Sequence, residues 1–406
     1  MSTGRKPRLL VLNQYYWPGV EATAHLLTEL CEALAEEFDV TVVTGRLRDR
    51  DPLARPGRTE RNGVRIARVN STAFERAKLG RRAVNYVTYL LQSFRAAATT
   101  RRPDVVVCMT DPPVIGTVAH LVARRFRTPL LVISQDVFPE IAVELKRLEN
   151  PVSVGALRVL IRWYLTRADR VVAIGETMRR RLVEKGADPE RLTVIPNWVD
   201  TTLLSPQPRD NPWARAQELV GRFVVMHSGN IGHAQNLDSF VRAGTFLRDL
   251  DDLEIVLIGT GARLGDIEDL ARLLDVDAVR FLPYQPREEL SLSLSAADIH
   301  VVGLAHGLSG YVVPSRLYGI LAVGRPVIVC ADADSETAQV VAGTGCGVVV
   351  APGRPELLAG AIRAARDGAY DLERMGALGR EYVVAHADRR VATDRYAAIL
   401  RELAAA

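Results

Sequence analysis

Residues 223–232 read FVVMHSGNIG and set the architecture expected for the whole chain. Phe223–Ser228 is an apolar, β-branched run, which is typical of a strand buried on both faces of a parallel sheet. The loop Gly229–Gly232 follows directly and leads into a helical pattern. A strand, a glycine-containing loop and a helix in this order predict one unit of a doubly wound α/β domain.

The same order of patterns opens the chain. Arg8–Asn13 predicts a strand, Gln14–Val20 a loop and Glu21–Glu36 a helix with leucines on one face. Short apolar runs then alternate with helical patterns in both halves, which predicts two parallel sheets covered by helices. The further predicted strands are Val40–Val43, Asp104–Met109, Leu130–Ser134, Arg170–Ile174, Glu254–Gly259, Arg280–Leu282, Ile299–Gly303, Pro326–Cys330 and Gly347–Val350.

The proline-rich segment Leu203–Trp213 has the composition of a linker between the halves. We therefore expect an N-terminal domain over residues 1–204 and a C-terminal domain over residues 205–385. Residues 386–406 form a last helix that crosses back to the first domain in this prediction. Two doubly wound, Rossmann-like domains would face a central cleft, with a ligand outside the carboxyl ends of their strands.

The composition is that of an ordinary globular protein. The chain has 406 residues, of which 48% are apolar and 25% charged, which excludes a disordered chain. Lys and Arg number 52 against 48 Asp and Glu, and the net charge of +4 is too small to predict nucleic-acid binding. The four cysteines form no Cys-x-x-Cys pair and lie in apolar stretches, so a reduced, cytoplasmic setting is expected.

A basic, amphipathic stretch from Arg76 to Phe94 allows two interpretations. Lys78, Arg81 and Arg82 precede apolar residues at helical spacing, and no apolar run of the chain is long enough to span a membrane. Such a helix either contacts the inner face of an anionic membrane or packs on the protein with its basic end in water.

Two segments of the second half predict an anion site. Glycines in Gly229–Gly232 would let a phosphate approach the backbone at a helix start. Arg316 falls just before the predicted helix Leu317–Val323, where a cation is unfavourable unless an anion lies beside it. The alternatives are a simple turn and a solvated arginine.

Other motifs are weaker. Gly259-Thr260-Gly261 lacks the third glycine of a dinucleotide fingerprint, because Leu264 takes its place. Asp136 follows a predicted strand and either orients or deprotonates an acceptor hydroxyl, or caps a helix before Pro139. The histidines show no metal-ligand spacing. The Asp-x-Asp pairs, among them Asp332/Asp334, are interpreted as turn placements outside any strand end.

Four segments together resemble the retaining GT-B glycosyltransferases of family 4, over nearly the whole chain. The resemblance rests on Gln14–Ala24, on Val194–Asp200 with an IPNxVD pattern, on Ser228–Gly232, and on Gly345–Gly353. The SGNxG and VPSR…AxGxP patterns are similar to a subgroup with colanic-acid fucosyltransferase-like and N-acetylfucosamine transferase-like enzymes.

That resemblance implies transfer of a sugar from a nucleotide sugar with retention of configuration, and with no required metal or other cofactor. Asp136 would lie near the reacting sugar, where many relatives have a histidine. Arg316 would face the diphosphate, and Glu336 would lie near the donor sugar or ribose. The positions expected to border the donor are Gly19, Thr23, Gly229, Asn230, Gly232, Gly259, Leu282, Tyr284, Ser315 and Arg316.

Two features of the family pattern are missing. The places of its two glutamates, seven residues apart, fall on Tyr311 and Gly319. Ala234 or Gln235 stands about where a lysine follows the glycine loop. Both departures concern groups that would contact ribose and phosphate.

The resulting hypothesis is a hexosyltransferase that uses a nucleoside-diphosphate sugar, foremost a UDP-sugar. Asp136, Arg316 and Glu336 are its candidate catalytic residues, and Arg316, the Ser315 amide and the loop amides would stabilise the leaving diphosphate. The acceptor is either a polyprenyl-linked glycan or a soluble natural product, as in polysaccharide or glycoconjugate biosynthesis. The alternatives are a non-hydrolysing UDP-sugar 2-epimerase-like isomerase, an NAD-dependent enzyme and a catalytically silent binding subunit.

Overall fold

The computed structural model describes residues 5–19, 21–46, 55–72 and 79–406, with the backbone alone at residues 79–83. The chain forms two compact units. Unit 1 consists of Met1–Ile195 with Thr393–Ala406, and unit 2 consists of Pro196–Ala392.

Strands and helices alternate along unit 1, as the apolar pattern predicts. Its elements are β1 (Arg8–Leu12), α1 (Ala22–Leu34), β2 (Asp39–Thr44), β3 (Gly57–Arg61), β4 (Val64–Arg68), α2 (Leu79–Ala98), β5 (Val105–Met109), α3 (Ile115–Phe126), β6 (Leu130–Ser134), α4 (Glu140–Glu144), α5 (Pro151–Leu165), β7 (Arg170–Ala173), α6 (Glu176–Glu184) and β8 (Leu192–Val194).

Unit 2 repeats this alternation. Its elements are α7 (Pro212–Ala216), β9 (Phe223–Ser228), α8 (Leu237–Gly244), β10 (Leu253–Ile258), α9 (Leu264–Leu273), β11 (Val279–Leu282), α10 (Leu290–Ser295), β12 (Ile299–Gly303), α11 (Arg316–Ala322), β13 (Val327–Cys330), α12 (Glu336–Thr344), β14 (Gly347–Val350), α13 (Pro355–Arg366) and α14 (Leu372–His386). The last helix, α15 (Arg389–Ala405), begins in unit 2, and its residues from Thr393 onward belong to unit 1.

Each unit has a doubly wound sheet with one switch point, where the strand order reverses. Among the described residues of unit 1 the order is β3-β4-β2-β1-β5-β6-β7-β8, and only β3 and β4 pair antiparallel. The order in unit 2 is β11-β10-β9-β12-β13-β14, and its pairs are parallel. The switch points lie between β1 and β5 and between β9 and β12. The predicted α/β class with two Rossmann-like units is confirmed.

The predicted strands are confirmed to within one residue at each end. Most of them are apolar runs whose side chains are buried, as in β5 and β6, whereas β11 and β14 are only partly buried. The hairpin of β3 and β4 was missed, since charged residues alternate through it. Its turn, Asn62-Gly63, has a positive φ at both residues (45° and 78°), and this dipeptide is itself a hairpin signal. Strand β8 was missed because it has only three residues.

Residues 196–202, which precede the predicted linker, are hydrogen-bonded to the end of unit 2 through Thr201. Thr201 donates from its amide (3.2 Å) and its hydroxyl (2.5 Å) to Asp388 Oδ2. Arg380 donates to the Thr201 carbonyl at 2.9 Å. Residues 203–211 contain neither helix nor strand, as a linker composition predicts. All four cysteines are buried free thiols.

Candidate functional site

The switch point of unit 2 brings together the loop after β9 and the start of α11. Gly229 has a φ of 132°, which L side chains rarely adopt. A Cβ at this position would lie 3.3 Å from Cζ of Arg316. The guanidinium of Arg316 therefore lies directly against the backbone of the glycine loop, and the positive φ favours glycine at 229.

Arg316 is a partly buried cation without an acidic partner. Its Nη1 donates to Nε2 of His227, and its Nη2 donates to the Asn230 carbonyl at 3.2 Å. No carboxylate of the described residues pairs with it. Burial lowers the pKa of Arg316 to about 10, an effect that nearby Tyr284 partly offsets, so the side chain still carries its charge at neutral pH. Such a cation favours an anionic ligand.

His227 holds this guanidinium as a neutral acceptor. The imidazole, in strand β9, is fully buried, and burial with the charge of Arg316 holds its pKa well below the usual range. Its Nδ1 lies 3.4 Å from the carbonyl of Val301 in β12. Because a carbonyl only accepts, Nδ1 carries the proton, and Nε2 is left with the lone pair that receives Arg316.

The amides of the glycine loop are largely engaged within the protein. Gly229 N–H donates to the Ile258 carbonyl, and Ile231 N–H donates to the Thr260 carbonyl, both at 2.9 Å. These bonds join the loop after β9 to the loop after β10. The expected cradle of free amides is therefore not present in this structure, and Arg316 is the group that presents positive charge.

Gln235 closes the same loop. The amide of Gly232 donates to Gln235 Oε1 at 3.0 Å. A single 3₁₀ turn, His233–Gln235, then separates the loop from α8, which begins only at Leu237. The sequence placed a helix directly after the glycines, and the structure corrects this. Gln235, which takes about the place of the family's lysine, satisfies the backbone instead of supplying charge.

Gly259 serves close packing between two loops. It has a φ of 139°, and a Cβ here would lie 2.0 Å from the Gly229 carbonyl oxygen. Real Cβ atoms do not approach an oxygen so closely, so this packing and the positive φ together explain glycine at 259. Gly259 approaches the backbone of Gly229, and Gly229 in turn lies against Arg316.

Leu282 and Tyr284, two of the positions expected to border the donor, lie at the end of β11 and just after it. The Leu282 carbonyl accepts from Gly259 N–H at 3.0 Å, and the Pro283 carbonyl accepts from Gln285 Nε2 at 2.7 Å. Tyr284 is exposed, and its hydroxyl is near enough to Arg316 to influence the pKa of the guanidinium. An exposed ring beside an unneutralised arginine is the part of this segment that is open to a ligand.

Ser315 and Glu336 each begin a helix. Ser315 precedes α11 with a φ of −63° and makes no side-chain cap. Glu336 is the first residue of α12, behind Ser335, whose hydroxyl accepts from Ala338 N–H at 3.3 Å. Burial chiefly raises the pKa values of Tyr318 and Tyr382, and the nearby charge of Glu336 raises both further.

Two carboxylates after β13 fasten the loop that follows β12. Asp332 Oδ1 lies 2.7 Å from Nδ1 of His306, and Asp332 Oδ2 accepts from Gly307 N–H at 2.8 Å. Ser309 Oγ donates to Asp334 Oδ1 at 2.7 Å. Asp334 lies in a turn, as expected, but the expectation that the pair Asp332/Asp334 lies outside any strand end was wrong. The signal was their position directly behind the apolar run that forms β13.

Unit 1 places two carboxyl groups at the ends of adjacent strands. Asp136 follows β6, and Asp111 follows β5. The pKa of Asp136 is raised to about 7, chiefly by burial and further by the charge of Asp111. The carboxyl of Asp136 makes no hydrogen bond to the described residues, so it can accept one from a ligand. The helix-cap alternative is not supported, since α4 begins at Glu140 without a side-chain cap.

Asp111 joins the loops at the switch point of unit 1. Its amide donates to Asn13 Oδ1 at 3.3 Å, and its carbonyl accepts from Gln14 N–H at 2.7 Å. Thr23 Oγ1 donates to Asp111 Oδ2 at 2.7 Å. Thr23, one of the positions expected to border the donor, therefore directs its hydroxyl proton to a carboxylate in this structure. Gly19 closes a turn by donating to the Tyr16 carbonyl at 2.9 Å.

The basic amphipathic stretch is described only in part. Arg76 and Lys78 lie outside the described residues, and Arg81 and Arg82 have a described backbone only, within α2. The remainder of α2 exposes apolar side chains to solvent. Within the described ranges no helix combines the length and hydropathy that a membrane span needs, and no group of three potential metal ligands occurs.

Sequence reasoning missed His227, Asp111 and the pair Asp332/Asp334. His227 is hidden because a histidine within an apolar strand is expected to be a core residue. Asp111 was overlooked although it directly follows the strand Asp104–Met109, which is the signal that identified Asp136.

Comparison with known protein families divides the chain in two. The family described as glycosyl transferase 4-like domain matches residues 21–198. The family described as glycosyl transferases group 1 matches residues 212–382. The two matches include Asp111 and Asp136 in the first segment and His227 and Arg316 in the second.

Two relatives carry glycosyltransferase names. The chain is 25% identical over 399 residues to the probable glycosyltransferase WbjE of Pseudomonas aeruginosa, with 98% of each chain covered. It is 29% identical over 222 residues to the putative colanic acid biosynthesis glycosyl transferase WcaI of Escherichia coli (strain K12), covering 54% of this chain and 53% of WcaI.

A solved structure with the same fold is that of Anabaena Alr3699/HepE in complex with UDP and glucose. It matches with a TM-score of 0.75 and 14% identity, covering 98% of this chain and 100% of the other. These comparisons do not favour the isomerase alternative. The chain joins a glycosyl transferase 4-like domain to a group 1 glycosyl transferase domain, and it belongs to the GT-B glycosyltransferases of the GT4 type.

Proposed function

We propose that this glycosyltransferase takes its sugar from a UDP-sugar bound at the switch point of unit 2. The observation that carries the proposal is the cation of Arg316, fixed against Gly229 and without a carboxylate among the described residues. A buried charge in this situation is stabilised by a bound anion. The diphosphate of a nucleotide sugar supplies such an anion.

Arg316 would act on the step in which the glycosidic bond breaks. Negative charge then grows on the departing diphosphate, and a donor that is already positioned lowers the barrier. His227 contributes by keeping the guanidinium in place before substrate arrives. Because Arg316 supplies positive charge at this point, we propose that transfer requires no divalent metal.

Two observations support uracil as the base. Anabaena Alr3699/HepE, which shares the fold, was solved with UDP and glucose. Tyr284 offers an exposed ring close to Arg316, where a base attached to the diphosphate can stack.

Asp136 of unit 1 would receive the acceptor. Its carboxyl has no hydrogen-bond partner among the described residues, and a hydroxyl can donate to its ionised form. The nearby charge of Asp111 disfavours a phosphate here, so the site suits a neutral sugar or alcohol better than a diphosphate. Transfer with retention of configuration, and a role for Glu336 beside the donor sugar, follow from the resemblance of the motifs.

We propose a lipid-linked glycan as the acceptor in preference to a soluble natural product. The match to WcaI agrees with the subgroup suggested by the SGNxG and VPSR patterns. The exposed apolar face of α2 supports peripheral contact with a membrane, where such an acceptor would be found.

Calorimetric titration tests the donor assignment. UDP, GDP, dTDP and NAD are titrated in the presence of EDTA against the wild type, Arg316→Ala and Arg272→Ala, which removes an exposed arginine of α9. We expect UDP to bind wild type and Arg272→Ala alike, and Arg316→Ala much more weakly. Equal UDP binding by Arg316→Ala, or binding of NAD and no diphosphate, contradicts the proposal.

A further inference from the structure

A nearly buried ion pair involves Glu140, which follows Asp136 closely in the sequence and is the first residue of α4. Lys185, which directly follows α6, donates from Nζ to Glu140 Oε2 at 2.6 Å, and the two side chains are only 11% and 16% exposed. The other carboxylate oxygen, Oε1, accepts from Nε of Arg158 in α5 at 3.1 Å. The start of α4 is therefore held by two other helices of unit 1.

The two members of this ion pair keep each other charged. Burial lowers the pKa of Lys185, and the contact with Glu140 opposes this effect. Burial also acts to raise the pKa of Glu140, but the hydrogen bond and the charge of Lys185 outweigh it, so that the pKa is lowered. Because both charges lose hydration, such a pair is weak evidence for stability, and two apolar side chains can be as stable. Its distinctive contribution is a fixed direction for the Glu140 side chain.

Glu140 and Asp136 belong to one short segment, residues 136–141, whose backbone is fastened. Ser134 Oγ donates to the Asp136 carbonyl at 3.2 Å, and Ile141 N–H donates to the Val137 carbonyl at 3.1 Å. The Val137 side chain is buried. The Asp136 carboxyl makes no hydrogen bond to the described residues, so the backbone alone sets its place. A displacement of Glu140 is therefore passed on to Asp136.

The pKa of Asp136 reports where its carboxyl lies. Burial chiefly raises this pKa to about 7, and the charge of Asp111, which follows β5, raises it further. Solvent around the carboxyl reduces both effects. A movement of Asp136 toward water is therefore measurable as a lower pKa, without any assay of sugar transfer.

We propose that Lys185 is a positioning residue of the acceptor site, which holds Asp136 in its buried place through Glu140. The inference rests on the proposed function, because the acceptor hydroxyl is what Asp136 would receive. Without the lysine, Glu140 would be a mostly buried charge whose remaining partner, Arg158, is half exposed. The carboxylate would then turn toward water, the segment 136–141 would follow, and Asp136 would gain solvent.

Titration by nuclear magnetic resonance tests the proposal on the full chain. The protein is isotope-labelled at the side-chain carboxyl carbon of aspartate, and the signal that Asp136→Asn lacks identifies Asp136. We expect a midpoint of about 7 in the wild type and one about one pH unit lower in Lys185→Met, since partial solvation restores part of the ordinary pKa. Loss of the positive charge alone would raise the midpoint, so the sign separates position from electrostatics.

Three further variants sharpen this test. Lys185→Arg keeps the charge and should restore most of the wild-type midpoint. Lys146→Met, the matched control, removes an exposed lysine just beyond α4 and should titrate like the wild type. Lys185→Met/Glu140→Met replaces both charges by flexible apolar side chains, so it should fold without an unpaired buried charge and still show the lowered midpoint.

A purely structural role of the ion pair would give a different result. Lys185→Met would then lose thermal stability, while the midpoint of Asp136 would stay in place. The inference is overturned if Asp136 titrates alike in the wild type and in Lys185→Met/Glu140→Met, or if Lys185→Met raises its midpoint. A wild-type midpoint of about 4 also overturns it, since the carboxyl would then be solvated already.

UDP titration of the same variants keeps this inference apart from the proposed donor. Lys185 belongs to unit 1 and Arg316 to unit 2, so Lys185→Met should bind UDP like the wild type. Absence of UDP binding by the wild type refutes the proposed donor. A lowered midpoint of Asp136 in Lys185→Met supports the role of Lys185 in that case as well, because the titration needs no nucleotide.

Discussion

The guanidinium of Arg316 donates to the unprotonated Nε2 of His227, so a buried cation is oriented by a neutral ring and not by an acid. An aspartate or glutamate in place of His227 would orient Arg316 and also cancel its charge. The imidazole fixes the direction of the guanidinium and leaves the charge available to a ligand. This distinction decides what changes at either residue should do.

Replacing Arg316 should weaken donor binding without unfolding unit 2. Hydrogen bonds that involve a charged group contribute more than neutral ones, so we expect the Kd of UDP to rise about 10- to 100-fold in Arg316→Ala. Circular dichroism and the thermal midpoint should match those of Arg272→Ala, the exposed control on α9. An unchanged Kd would remove Arg316 from the donor site.

Changing His227 should act on the donor through Arg316. His227→Phe keeps an aromatic ring in the buried site but removes the acceptor, so we expect KM for the donor to rise about 3- to 10-fold. His227→Gln retains a side-chain oxygen that can accept from Arg316 and should recover much of this loss. If both variants show equal KM, the ring acts through packing and not through its lone pair.

Asp136 should make stability and activity depend on pH in opposite directions. Its pKa rises from an ordinary 3.8 to about 7 in the folded chain, so the folded state holds the proton more tightly than the unfolded state. The free energy of unfolding therefore falls as pH rises from about 4 to about 7. In Asp136→Asn this fall should be smaller by about 1–3 kcal/mol, as measured by denaturant unfolding at several pH values in that range.

The activity of the same residue should increase as its carboxyl ionises near pH 7, because only the carboxylate accepts from an acceptor hydroxyl. Asp136→Asn should lower kcat by about 100-fold and leave UDP affinity unchanged. Asp111→Asn should shift the midpoint of this pH profile to lower pH by removing a like charge. Glu149→Gln, which changes an exposed carboxyl of unit 1, is the control and should change neither kcat nor the midpoint of the pH profile.

Gly259 should tolerate no side chain. A Cβ there would lie 2.0 Å from the Gly229 carbonyl oxygen, and the φ of 139° adds backbone strain. We expect Gly259→Ala to lower the free energy of unfolding by about 2–4 kcal/mol. Gly265→Ala in α9, where nothing lies within 4 Å, should raise it by about 0.5 kcal/mol. Equal thermal midpoints for the two variants would contradict the packing explanation.

Much of the fold could be predicted because buried parallel strands leave a strong pattern. The runs that became β6 and β9 begin with four apolar residues each, and their side chains are almost all buried, so the apolar pattern marks where each strand lies. The hairpin of β3 and β4 carries charged residues on its exposed face, so its strands leave only a weak apolar pattern. The Asn62-Gly63 dipeptide of its turn is the stronger sequence signal for this hairpin.

The candidate site could be predicted only where a residue type contradicts its setting. Arg316 is a cation at a helix start, where positive charge is unfavourable, and Asp136 is a carboxyl group directly after an apolar strand. Both residues could therefore be identified from the sequence. The partners of loop amides leave no such trace, because a bond like that from Gly232 to Gln235 depends on how the loop closes. His227 could not be identified either, because the sequence does not distinguish a histidine that contacts Arg316 from any other histidine in a buried strand.

The return of residues 393–406 to unit 1 has a consequence for the order in which the protein can be built. Tyr396, Leu400 and Leu403 are buried, and Arg395 donates to the Val194 carbonyl at 2.6 Å. During synthesis, unit 2 is complete once Ala392 has left the ribosome, whereas unit 1 still lacks these side chains. Unit 1 is therefore translated first but can complete its fold only last. The apolar surface that Tyr396, Leu400 and Leu403 bury stays exposed until unit 2 has been synthesised.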